Sequence, residues 1–179
     1  MSALGLADAE RPSTLPGLPI ERRCFTVIDG DEMFGLPVQS VQTIFRIEGV
    51  TPVPLGPTDV EGLVNLRGRI VTAVSLKRRL GNAPSNSERS ALAIGIEHNG
   101  ESFALIVDEV GDVIPCEESA EIARPPHIHP QRARFIKAYY RLDTGILPIL
   151  DMDAIFDFAE RNRTAASASY NAMTVRSDQ

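Results

Sequence analysis

Two histidines, His127 and His129, stand one residue apart in "PPHIHP" and are the chain's nearest approach to a ligand set. In a strand, residues i and i+2 share a face, so both imidazoles could reach one metal ion if a third ligand joined them. The only other histidine, His98, sits in the turn-like "EHNGE", and Pro125, Pro126 and Pro130 mark the pair's own segment as a loop. The expectation is a solvated loop without a metal. Carboxylates gather twice, at Asp108, Glu109 and Asp112 and at Glu117, Glu118 and Glu121, where paired acids could do general acid–base work. Charge runs of this kind ordinarily form a wetted face. The chain contains no G-x-S-x-G, Walker A, G-x-G-x-x-G or C-x-x-C pattern. Neither catalysis nor a cofactor is expected.

A second constellation concerns charge. "GLVNLRGRIVTAVSL", residues 62–76, sets Arg67 beside Gly68 between apolar runs. A buried guanidinium without an acceptor costs on the order of several kcal/mol, so Arg67 is either bonded or facing something. Arg67, Arg69, Lys77, Arg78 and Arg79 place five of the 18 basic residues within 13 positions, although 24 acidic residues give the chain a net charge of -6. Solvation or the negative end of a short helix accounts for the last three. A basic patch meeting an acidic protein surface accounts for all five. The overall acidity argues against general nucleic-acid binding, which draws most of its affinity from clustered basic surface.

These residues need a scaffold, and the pattern around them is one of short strands. Segments rich in β-branched residues, "CFTVI", "TIFRI", "RIVTAVSL", "ALAIGI", "SFALIV" and "GILPIL" among them, alternate with turn signals such as "DGDE", "RG" and "HNGE". Strands this numerous and closely spaced imply an all-β sandwich or small barrels. Helix is expected in two places. "SLKRRLG" can be capped by Ser75 and stopped by Gly81, and "DMDAIFDFAE" can be capped by Asp151, with Met152, Ile155, Phe156 and Ala159 on one face. A shift of 69 residues lays Glu32 on Glu101, Phe34 on Phe103, Leu36 on Leu105, Val38 on Val107, Val41 on Val110 and Ile44 on Val113. The repeat suggests an internal duplication into two small barrels, each of roughly 70 residues and marginal alone, so that the two should pack together.

Of the 179 residues, 1–20 and 161–179 read as disordered tails, leaving 21–160 as the folded domain. Cys24 and Cys116 lie far apart in no motif and read as small packing residues of a protein in a reducing compartment. No signal sequence and no stretch of ~20 apolar residues is present, which points to the cytoplasm without membrane insertion.

From "VEGLVNLRGRIVTAVSLKRRLG" outward, the chain resembles the CheW family of adaptors in bacterial chemosensory arrays. The resemblance runs over about residues 23 to 158, taking in "FTVIDGDEMFGLPVQSVQTI", "NLRG", "FALIVDEVGDVI" and "GILPILDMDAIF" in the family's order. It implies two SH3-like five-stranded β-barrels with short helices and a C-terminal helix, and no catalytic activity. It also implies two protein partners, the cytoplasmic domain of a chemoreceptor and the regulatory domain of the histidine kinase CheA. Carried over residue by residue, the receptor-facing surface would use Val38, Val41, Thr43, Asn65 and Arg67, while Gly62 and Gly68 would serve the backbone, Gly68 by permitting a turn. In a strand Asn65 and Arg67 would share the outward face and Val64 and Leu66 the inward one. Two departures stand out: the family commonly has a glutamate at Thr43 and an aspartate at Ser75. Without that glutamate Arg67 needs another acceptor, such as a carbonyl, Glu48 or a carboxylate of the receptor. The kinase-contact residues do not follow from the resemblance beyond the exposed barrel edges.

Overall fold

In the computed structural model, which describes residues 22–82 and 92–158, hairpins dominate. The first joins β1 (Arg23–Asp29) to β2 (Glu32–Pro37), and a 3-10 turn at Val38–Ser40 leads into β3 (Val41–Arg46). After a long connection come β4 (Val60–Leu66), β5 (Arg69–Ser75) and α1 (Leu76–Arg79). The later part runs β6 (Leu92–His98), β7 (Glu101–Val107), β8 (Glu109–Pro115), β9 (Glu121–Ile122), α2 (Pro130–Ala133), β10 (Ile136–Leu142), β11 (Gly145–Leu150) and α3 (Met152–Phe156). The all-β reading with short helices holds. Both expected caps form: the Ser75 hydroxyl accepts from the Arg78 amide at 3.4 Å, and Asp151 Oδ1 accepts from the amides of Asp153 and Ala154 at 3.0 and 3.3 Å.

The strands make two sheets, ordered β8-β1-β2-β11-β10-β9 and β3-β6-β7-β5-β4. A shift of 69 residues carries β1, β2 and β3 onto β6, β7 and β8, as the sequence suggested. The second hairpin and helix of each copy, β4, β5 and α1 against β10, β11 and α3, need a shift of 76 instead. Seven extra residues therefore lie in the second copy, where β9 and α2 stand, and β9 makes the first sheet six-stranded rather than five-stranded. Neither copy forms a sheet by itself. The third strand of each crosses over, so that β3 pairs antiparallel with β6 and β8 pairs antiparallel with β1.

This exchange explains the core. Alternation along β1 sends Phe25 and Val27 to an apolar layer shared by both sheets, where they meet Phe34, Leu36, Ile94, Ile96, Phe103 and Leu105. Each fully buried large apolar side chain of this layer contributes about 1.5–3 kcal/mol relative to exposure. The opposite faces line two smaller clusters, one around Val64, Leu66, Val71 and Ala93, the other around Cys24, Cys116, Leu147 and Ile149. α3 closes the shared layer with Met152, Ile155 and Phe156, the Phe156 ring stacking on Phe103 at 4.4 Å.

Here the sequence reading of the cysteines needs correction. Cys24 and Cys116 are both buried, and their sulfurs are joined as a disulfide, with Cα atoms 6.3 Å apart. They meet because β8 pairs with β1, which carries the residue after β8 back to the start of the domain, where the Cys116 amide donates to the Arg22 carbonyl at 2.7 Å. Residues 1–21 and 159–179, which include both expected tails and Ala159, lie outside the described residues.

Candidate functional site

The β4–β5 hairpin follows from its sequence. Val64 and Leu66 are buried and Asn65 is exposed, which is the alternation expected of a half-buried strand. The strand ends at Leu66, however, and Arg67 belongs to the turn: Arg67 has φ 52° and Gly68 φ 85°. Two positive φ values in a two-residue connection match the twist of the flanking strands, and Gly68 takes its position without strain. For an arginine the left-handed conformation costs about 1–2 kcal/mol. Asn65 offsets part of this by accepting from the Gly68 amide through Oδ1 at 2.7 Å. Asn65 and Arg67 thus meet around a turn rather than along one strand face. Gly62 has a different role: at φ 149°, a side chain there would collide with the Thr51 carbonyl oxygen, and Thr51 and Leu63 exchange two backbone hydrogen bonds beside it.

Arg67 is exposed, so no buried charge has to be offset. Its Nη2 donates to Thr43 Oγ1 on β3 at 3.0 Å. Thr43 is therefore beside Arg67, and the bond ties the hairpin turn of β4 and β5 to the strand at the opposite edge of the same sheet. Next to it a cleft of about 390 Å³ lies between residues 46–49 and the hairpin at Asn65, Arg67 and Gly68. Glu48 lines this cleft but makes no ion pair with Arg67. Val38 and Val41 lie elsewhere. Val38 opens the 3-10 turn by which the chain crosses from one sheet to the other and Val41 follows it, and both are half-buried against the shared core.

The basic run divides once its side chains are followed. Lys77 bonds Asp108 at 3.0 Å, and Arg78 pairs with Glu61 at 3.3 Å and donates to the Thr58 carbonyl at 3.2 Å. Arg79 is buried: it pairs with buried Asp59 at 2.7 Å and donates to the carbonyls of Ala154 and Asp157. Of the five cations, only Arg67 and Arg69 have no carboxylate partner among the described residues. A surface patch of all five is thereby corrected to one of two, both at the β4–β5 turn. The loop histidines do not converge, since His127 is exposed and His129 Nδ1 accepts from the Gln131 amide at 3.3 Å to cap α2. Among the described residues no three of His, Cys, Asp or Glu are grouped to hold a metal ion, and no helix is long and apolar enough to cross a membrane.

Residues 23–160 match the family described as the CheW-like domain. The chain belongs to that family. Similar CheW-like proteins include the chemotaxis protein CheW of Treponema pallidum, 26% identical over 140 residues, covering 76% of this chain and 82% of that one. The chemotaxis protein CheW of Bacillus subtilis is 26% identical over 137 residues, covering 76% and 87%. Among solved structures, the scaffolding protein TtCheW from Thermoanaerobacter tengcongensis superposes with a TM-score of 0.69 at 26% identity, over 78% of this chain and 94% of its own. This CheW-like chain is accordingly a non-catalytic chemotaxis adaptor and scaffold.

Proposed function

We propose that this adaptor joins the cytoplasmic domain of a chemoreceptor to the regulatory domain of the histidine kinase CheA, with Val38, Val41, Thr43, Asn65 and Arg67 on the receptor side. Residues 21–160 would be the working unit, held in the cytoplasm and recruited to membrane-associated receptor arrays. One observation carries the receptor side. Arg67 is held at an exposed turn and oriented by a hydroxyl, which fixes its direction while leaving its charge for a carboxylate of the partner. A charge-assisted hydrogen bond of that kind contributes about 1.5–3 kcal/mol, enough to distinguish receptors. A rigid body with two separate surfaces couples its partners by position alone.

The same Thr43 hydroxyl favours a second reading. With no glutamate to hold Arg67, the chain would serve a different receptor set, in a pilus or second-messenger pathway, or act as a spacer within an array. Titration of wild type and Arg67→Ala against an isolated receptor cytoplasmic fragment and the kinase regulatory domain separates these. The adaptor reading expects wild type to bind both and Arg67→Ala, still folded, to lose at least about tenfold toward the receptor only. Binding to the kinase domain without any receptor binding would favour the second reading, and binding to neither would refute both.

A further inference from the structure

Cys24 and Cys116 are the only cysteines of the chain, and both are buried. Their disulfide spans a sequence separation of 92 and ties β1 to the residue that follows β8. Bonds of this kind persist in oxidising compartments, whereas in the cytoplasm small thiols keep cysteines reduced and a disulfide is ordinarily transient. The adaptor reading places this chain in the cytoplasm. A fold that brings its two cysteines together there holds a bond that opens and closes.

The strand that the bond secures is otherwise lightly held. β8 lies at the edge of the six-stranded sheet with β1 as its one sheet neighbour among the described residues, and none of its seven residues is fully buried. Its register with β1 also shifts between Phe25 and Val27. Beyond the ladder, Thr26 Oγ1 donates to the Asp112 carbonyl at 2.8 Å, and the Cys116 amide donates to the Arg22 carbonyl at 2.7 Å. An edge strand of this kind opens locally at far less cost than the whole domain, and opening at its Cys116 end admits a small thiol to sulfurs that the closed surface covers. β8 also bears on the receptor side. Val110 and Val113 pack against the shared apolar layer on which Val38 and Val41 rest. A β8 fixed to β1 keeps all four valines on that layer, and a β8 that frays takes Val110 and Val113 from it.

We propose that the Cys24–Cys116 bond is a reversible redox switch on the receptor side of this chain, closed by a peroxide, which fixes β8, and opened by a small-molecule thiol, which loosens it. In closing, one thiolate attacks the peroxide, its O–O bond breaks, and a sulfenic acid forms. The second thiolate then displaces that oxygen, so the two thiols and hydrogen peroxide become the disulfide and two waters. In opening, one glutathione thiolate attacks a sulfur to give a mixed disulfide and a second displaces it. Oxidised glutathione leaves, and both cysteines are thiols again. The effect on receptor binding rests on the adaptor reading, while the loosening of β8 rests on the fold.

The test takes the full chain through excess reduced glutathione and then hydrogen peroxide, beside a Cys24→Ala/Cys116→Ala double variant. Thiols trapped by alkylation, hydrogen exchange of the β8 amides and titration against a receptor cytoplasmic fragment are read in each state. Wild type is expected to show both thiols free in glutathione and neither after peroxide. In the reduced form the β8 amides should exchange at least about tenfold faster and the receptor fragment should bind at least about threefold more weakly. The double variant is expected to behave as the reduced chain in both solutions; if it does not fold, the two states of wild type decide alone. A bond that survives glutathione in the native protein is a permanent staple and overturns the inference. Equal β8 exchange or equal receptor binding in the two states overturns it as well, and so does a double variant that still responds to peroxide. Wild type that binds no receptor fragment in either state refutes the adaptor reading instead, and β8 exchange then decides the switch by itself.

Discussion

Arg67 meets a hydroxyl where a carboxylate would fit, and the consequence is measurable in the isolated protein. Thr43→Glu would put an acid within reach of the guanidinium, now 3.0 Å from Thr43 Oγ1. The pair would be exposed, so the gain is about 0.5–1 kcal/mol, or roughly 1–4 °C in melting temperature, and largely lost in high salt. Scanning calorimetry at low and high salt should record this rise and its loss; an unchanged or lower midpoint at low salt would contradict it. Asp29 presents the reverse case. It is buried at the end of β1, and its Oδ2 has no hydrogen-bond partner among the described residues. Burial pushes its pKa up to about 6; nearby Lys77 pulls it down, Asp108 and Glu32 push it further up, and Arg132 lowers it slightly. Because the folded value exceeds the ordinary 3.8, the native state keeps a proton that the unfolded chain has released. The contribution of Asp29 to stability is therefore most favourable below pH 3.8, falls as the pH rises to about 6, and stays level above it. Asp29→Asn should be more stable than wild type by about 1–3 kcal/mol at pH 8, with the difference closing toward pH 4. Urea melts at the two pH values would show it, and a difference that does not shrink in acid would rule out this account.

Elements were legible in the sequence to the extent that their signals are local. Period-two alternation and the "DGDE", "RG" and "HNGE" turns marked the hairpins, and Ser75 and Asp151 marked two helix starts at equivalent points of the repeat. What the sequence left hidden depends on partners far along the chain. The residues of β3, VQTIFR, suit an edge strand of either sheet, so its pairing with β6 leaves no mark in its own sequence. The meeting of Cys24 with Cys116 was hidden with it, since it depends on β8 crossing to β1. At "RG" the signal lay in Gly68 alone, so the sequence marked the turn while still allowing Arg67 a place on a strand face with Asn65; an asparagine before Gly68 would have put both residues in the turn. The burial of Arg79 did leave a signal. Leu76, Arg79 and Leu80 fall at i, i+3 and i+4 on the buried face of α1, and a shift of 76 lays Arg79 on Ile155. A cation in the place of an isoleucine calls for an acid nearby, which Asp59 supplies.

At the scale of the whole molecule, the exchange of third strands makes the two copies of the repeat depend on each other. Consider the chain divided between residues 82 and 92. The first part would keep the β1–β2 and β4–β5 hairpins, but β3 would lose β6, its only sheet neighbour. The second part would keep the β6–β7 and β10–β11 hairpins, while β8 would lose β1. Each part would also expose its side of the shared apolar layer, Phe25, Val27, Phe34 and Leu36 in one, Ile94, Ile96, Phe103 and Leu105 in the other. A fragment of this size buries too little surface to offset its conformational entropy when half of that layer is missing. Each fragment alone should therefore give the circular dichroism of an unfolded chain with no cooperative melt. An equimolar mixture should regain β-sheet signal and a single transition, because every lost strand neighbour is then restored in trans. A cooperative melt from either fragment by itself would mean that one copy can complete a sheet from its own strands, against the observed pairing of β3 with β6 and β8 with β1. The same mutual dependence suits a scaffold: two surfaces on sheets that share one core keep a fixed relation, and that relation is what an adaptor without catalysis has to transmit.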